Sequence, residues 1–141
     1  IVSKPKYYLP KLVNEKEVFF IPKNIDTEFE VKIDYIDYMF ENLRGIIEDG
    51  FIKAIPCYVE LNSSVIEDTT LIVDFNKNFL NSFDNDTKMQ QLLLDTILYS
   101  FTSLSGIDQV KINIEGSENC SFGDIDLSSP IKTPALINVI N

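Results

Sequence analysis

The stretch Asp84-Asn85-Asp86-Thr87-Lys88-Met89-Gln90-Gln91-Leu92-Leu93-Leu94-Asp95-Thr96-Ile97-Leu98-Tyr99-Ser100-Phe101-Thr102-Ser103-Leu104-Ser105-Gly106, followed by Val110-Lys111-Ile112-Asn113-Ile114-Glu115, decides the fold class. Met89, Leu92, Leu93, Thr96, Ile97, Ser100 and Leu104 share one side of an α-helix, and small Thr96 and Ser100 let that side approach a sheet closely. Asp84 or Asp86 is placed to cap the first turn, and Gly106 to end the last. Beyond Gly106 the period drops to two, because Val110, Ile112 and Ile114 alternate with Lys111, Asn113 and Glu115 as in a half-buried strand.

Working outward, Thr70-Leu71-Ile72-Val73-Asp74-Phe75 and the alternating Cys57-Tyr58-Val59-Glu60-Leu61 read as a hairpin turned by Glu67-Asp68-Thr69. Ala54-Ile55-Pro56 forms a bend ahead of it. Ile36, Met39, Phe40, Leu43, Ile46 and Ile47 recur at helical spacing, which predicts a helix over about Asp34 to Ile47. Phe29, Val31 and Ile33 alternate with Glu28, Glu30 and Lys32 as a strand, and Val18-Phe19-Phe20-Ile21, ended by Pro22, is another. Residues 1–16, with Pro5 and Pro10, read as an irregular arm, and 132–141 as a C-terminal tail around a domain of 17–131. The order is strand, strand, helix, hairpin, helix, strand. It predicts an α+β fold of βαββαβ type, one sheet carrying both helices on one face.

Composition narrows the function. A chain of 141 residues, 45% hydrophobic, suits one domain. The formal charge of -10, with 22 acidic residues against 12 basic ones and Arg44 alone as a guanidinium, argues against nucleic acid and against anionic lipid as partners. No apolar run reaches the roughly 20 residues of a bilayer span. The start, Ile1-Val2-Ser3-Lys4-Pro5, has neither an initiator Met nor a signal pattern and reads as trimmed, so an anchor upstream would not be visible.

With no His, triads of the Ser-His-Asp or Cys-His kind are impossible within this chain, and the five scattered glycines form no phosphate-cradling loop. No cofactor is expected. Cys57 and Cys120 lack metal-ligand spacing and read as plain thiols.

Several blocks in fixed order resemble the GerM domain of sporulation and spore germination proteins: Val18-Phe19-Phe20-Ile21-Pro22, Ala54-Ile55-Pro56, Leu71-Ile72-Val73-Asp74-Phe75-Asn76, Tyr99-Ser100-Phe101-Thr102, Val110 to Gly116, and Gly123-Asp124-Ile125-Asp126-Leu127-Ser128-Ser129-Pro130. At Asp124 the sequence departs from similar tails, which often carry a His there. The resemblance implies a fold related to ring-building modules of spore-assembly complexes. It also implies a non-enzymatic binding or scaffold role outside the cytoplasm of a Gram-positive spore former. Other sporulation or envelope proteins, and peptidoglycan, would be the partners, with self-association and a lipid anchor outside this stretch. A sensory or regulatory module of a membrane-anchored lipoprotein is the alternative.

Three constellations have competing readings. Asp84-Asn85-Asp86 could begin a calcium loop, but the Gly and Glu that such a loop needs are missing, and helix capping is preferred. Asp124 and Asp126 would face the same way on an extended segment, as a carbohydrate-active acid and base require, while turn chemistry accounts for them equally well. Leu94, Leu98 and Phe101 form a second apolar stripe on the long helix. It is either a partner surface or a face covered by Ala135 to Ile140, and the covered reading is preferred. The six tyrosines could stack on sugar rings but are scattered along the chain.

Overall fold

The first residues to take up regular structure are those with the least regular look in the sequence. The computed structural model describes residues 4–135 and 139, and in it Lys6–Leu12 forms a strand, β1, paired antiparallel with β2 (Val18–Asn24). Within the arm expected to be irregular, residues 6–12 are therefore one strand of a hairpin, and Pro22 lies inside β2 instead of ending it. Pro10 faces Phe20 and Pro22 faces Tyr8 across the ribbon. Alternate residues of β1 turn their amides away from β2: those of Lys6 and Tyr8 donate to the hydroxyls of Ser103 and Ser100, both at 2.9 Å. Pro10 occupies the next such position, where the ladder asks for no amide. Its carbonyl accepts from the amide of Ile52 at 2.8 Å.

Helix α1 (Lys32–Arg44) begins earlier and ends earlier than the spacing predicts. The strand expected through Phe29, Val31 and Ile33 does not form. Ile33 continues the helical stripe of Ile36 and Phe40, and the amide of Phe29 donates to the hydroxyl of Tyr35 at 3.1 Å, which folds the segment back on the helix. At the other end the Lys53 ammonium donates to the carbonyls of Arg44 and Gly45, a cation at the negative pole of the helix. Ile46 consequently leaves the helix and is fully exposed.

The hairpin β3 (Leu61–Glu67) and β4 (Thr70–Phe75) is present, but its first strand starts where the expected one ended. Val59 closes a turn onto the carbonyl of Pro56 instead. A register shift between Leu61 and Ser63 changes the phase of β3, so the inward positions run Leu61, Ser64, Ile66, and no single alternation is visible in the sequence.

A short 3-10 turn leads into α2 (Thr87–Thr102) and then into β5 (Gln109–Ile114), which lies parallel to β4. Parallel pairing requires a crossover, and α2 supplies it. Register sets Leu71 beside Val110, Val73 beside Ile112 and Phe75 beside Ile114, all six buried, as a continuous apolar floor. The tail adds a small hairpin of β6 (Ser121–Phe122) and β7 (Ile125–Asp126), and β8 (Ile131–Lys132) pairs antiparallel with β5.

The α+β class stands, with the sheet divided. A mixed four-stranded sheet has the order β3-β4-β5-β8, and β1-β2 and β6-β7 are separate ribbons. The division follows from α2, whose residues 96–101 are all buried: a helix buried all round needs cover on both sides. The sheet and α1 supply one side. Ribbon β1-β2 supplies the other, where Tyr99 packs against Phe20 at 4.8 Å and Tyr8 at 6.0 Å.

Candidate functional site

The residues singled out in the sequence disperse over the structure. Leu94, Leu98 and Phe101 are 2%, 1% and 0% exposed and belong to the central apolar cluster. Of the two readings of this stripe, a partner surface does not fit, because the three side chains lie inside the folded chain. Of the segment expected to cover them, 136–138 and 140 lie outside the described residues. Ala135 accepts a hydrogen bond from the Tyr99 hydroxyl at 2.6 Å, and Val139 bridges Phe20 in parallel.

Asp86 caps α2, its carboxylate accepting from the amide of Met89 at 3.1 Å. Asp124 lies at the exposed turn between β6 and β7, beside Gly123 with φ of 57°. Asp126 closes a turn by accepting from the amide of Ser128 at 2.9 Å. Hydrogen bonding by the Ser128 side chain, and then by its amide, holds the Asp126 carboxyl below the usual range, which suits neither a general acid nor a strong base at neutral pH. Cys57 is exposed, Cys120 is half-buried, and both are free thiols. Among the described residues no group of His, Cys, Asp or Glu converges as a metal site would require.

Polar residues of the GerM-like blocks act as pins between elements. The Asp74 carboxylate accepts from the amide of Gly116 at the end of β5. Asn76 accepts from the amide of Glu60 at 3.0 Å and donates to the carbonyl of Tyr58 at 3.0 Å, which secures the turn before β3. The aromatics are less scattered than the sequence suggests. Phe29 meets Tyr35 edge-on at 5.0 Å and Tyr38 at 5.6 Å, half-buried against the core.

What the sequence does not disclose is the open face of the main sheet. Paired residues share a face, so the side opposite the apolar floor carries the rows Glu67, Thr70, Gln109, Lys132 and Val65, Ile72, Lys111. A groove of about 570 Å³ crosses this face, closed at its side by Glu118, Ser128 and Pro130. No sequence pattern joins Glu67 to Glu118; the parallel pairing of β4 and β5 does. A second concavity of about 490 Å³ lies under the loop after α1, beside Arg44, Phe51, Lys53 and Cys57. Its cations are committed to its own walls: Lys53 to the end of α1, and Arg44 to Glu41 and to the carbonyl of Cys57. Burial pulls the Lys53 ammonium below its usual range.

The family model Germane, described as sporulation and spore germination, matches residues 7–120. The chain belongs to this family. Its first matched residue, Tyr7, lies in β1. The spore germination protein GerM of Bacillus subtilis is 32% identical over 85 residues, 59% of this chain and 22% of that protein, so the chain spans about a fifth of its curated relative. The solved tandem GerMN domains of the same sporulation protein superpose with a TM-score of 0.74 at 21% identity, over 95% of this chain and 46% of that one. A Clostridium perfringens protein described as a candidate lipoprotein gives a TM-score of 0.63 at 19% identity, over 90% of this chain and 85% of that one. These structural likenesses establish the α+β fold.

Proposed function

We propose that this Germane domain is a non-enzymatic module that acts outside the cytoplasm in sporulation or spore germination, by binding assembly proteins or peptidoglycan. The observation that carries the reading is the asymmetry of the main sheet: one face is a closed apolar floor, and the other is an open groove of polar and half-buried apolar side chains. Such a face suits recognition of a partner. The occurrence of the same fold as tandem GerMN domains in a sporulation protein supports assembly, and the likeness to a candidate lipoprotein supports a tether to the membrane.

The test is cross-linking of the full-length protein in sporulating cells, beside sedimentation of the domain with purified peptidoglycan. Capture of envelope or sporulation proteins, or co-sedimentation with wall, is the expected result, with no sugar or peptide released from the wall polymer. Hydrolysis of wall by the native domain, abolished when Asp124 and Asp126 are both replaced by Asn, would overturn it in favour of a carbohydrate-active enzyme.

A further inference from the structure

The groove on the open sheet face has a chemistry of its own. Three carboxylates line it, Glu67 and Asp68 at the β3–β4 turn and Glu118 after β5, and a single cation, Lys111. The Lys111 ammonium donates to the side-chain oxygen of Asn113 at 2.6 Å, to the carbonyl of Glu118 at 2.8 Å and to that of Ile112 at 3.2 Å. Its three protons are thereby spent on its own chain, and it has none left for an incoming anion.

The carboxylates are in the opposite condition. Among the described residues the ion pairs are Lys23 with Glu48 and Arg44 with Glu41, neither of which touches the groove. Glu67, Asp68 and Glu118 are exposed acceptors beside an apolar strip of Ile72, Pro130 and, on the neighbouring strand, half-exposed Val65. Lys132 ends the top row with two strands between it and Glu67, outside the groove. Unpaired carboxylates around an apolar strip complement a side chain with an aliphatic stem and a cationic head.

We propose that the open face of β3, β4 and β5 docks a basic segment of a partner protein. Its lysine or arginine stems lie on Ile72, Val65 and Pro130, and its charged heads meet Glu67, Asp68 and Glu118. This rests on the binding reading above and adds to it the surface and the chemistry of the partner.

The probe is a labelled peptide of alternating lysine and valine, with a glutamate-for-lysine counterpart, followed by anisotropy and by amide shifts of the labelled domain. The expected shifts centre on Thr70, Ile72, Gln109 and Lys111. Joint Glu67→Lys and Glu118→Lys substitution weakens binding about tenfold or more, while Glu28→Lys with Glu30→Lys, the same charge change on an exposed loop, has less than about a twofold effect. Both pairs are surface changes, and unchanged thermal unfolding confirms that each variant is folded. Equal weakening by the two pairs would show only attraction to a chain of charge -10 and would overturn the inference, as would equal binding of the glutamate peptide. If the domain ignores the basic peptide while the full-length protein still cross-links to assembly partners in cells, the groove assignment fails and the binding reading survives.

Discussion

Gly123 sits so close to the buried side-chain amide of Gln90 that a Cβ on Gly123 would lie 2.2 Å from its oxygen. Gln90 lies in the first turns of α2, and Gly123 is the bend of the β6–β7 ribbon, so this contact docks the tail onto the central helix. The backbone there has φ of 57°, which adds a conformational reason for glycine.

Gly123→Ala is expected to lower stability by about 2–4 kcal/mol, combining a left-handed backbone with overpacking. Gly116→Ala is the control, since φ is 83° there but nothing lies within 4 Å of the added carbon. Only the backbone cost of about 1–2 kcal/mol should appear. Urea unfolding of the two variants separates the contributions, and equal losses would show that the contact with Gln90 is not tight.

Leu98→Ala should cost about 2–5 kcal/mol, as expected where a leucine fills a closed interior. Leu94→Lys and Leu98→Lys should fail to fold, because each would bury an ammonium without a partner. A folded, monomeric Leu98→Lys protein by circular dichroism and gel filtration would mean that Leu98 is not enclosed by the central apolar cluster in solution.

Replacing Asp86 by Ala should destabilise by about 1 kcal/mol, through loss of the hydrogen bond to the Met89 amide. Asp84→Ala should leave thermal unfolding nearly unchanged. Calcium should not alter unfolding of either form. A rise in melting temperature on adding calcium would revive the metal-loop reading.

Asp95, half-buried on α2 and hydrogen-bonded by Gln91 at 2.8 Å, has its carboxyl pushed above the usual range by burial. A raised acid binds protons more tightly folded than unfolded, so its contribution to stability is fully present below the ordinary carboxylate pKa and is lost as pH rises through the folded value. Asp95→Asn should therefore be more stable than the parent at neutral pH, with the difference vanishing in acid. A variant equally destabilised at both pH values would show that the carboxylate itself is needed.

How much could be read in advance depended on whether a segment's neighbours were local. Helix α2 and the pair β4-β5 were visible because their apolar positions keep one period throughout. Strand β3 was misplaced because its register shift breaks that period between Leu61 and Ser63. Strand β1 was missed because Pro5 and Pro10 argue against a strand unless one knows that Pro10 occupies a position with no ladder amide to give, a fact fixed by Ser100, Ser103 and Ile52 far along the chain. The stripe of Leu94, Leu98 and Phe101 was visible as apolar, but its cover was not, for the same reason. The groove carboxylates belong to turns that only the sheet brings together.

The tethers of β1 also fix an order of events. The amide and carbonyl of Lys6 both meet the Ser103 hydroxyl, 97 residues further along. A chain that emerges from the ribosome or a translocation channel N-terminus first can close the hydrogen bond between Pro10 and Ile52 early, but it cannot tether Lys6 and Tyr8 until Ser100 and Ser103 have followed. The ribbon is made before the helix it covers and is fully secured only after that helix, and until then it leaves the flank of α2 around Tyr99 open to chaperones and to neighbouring chains.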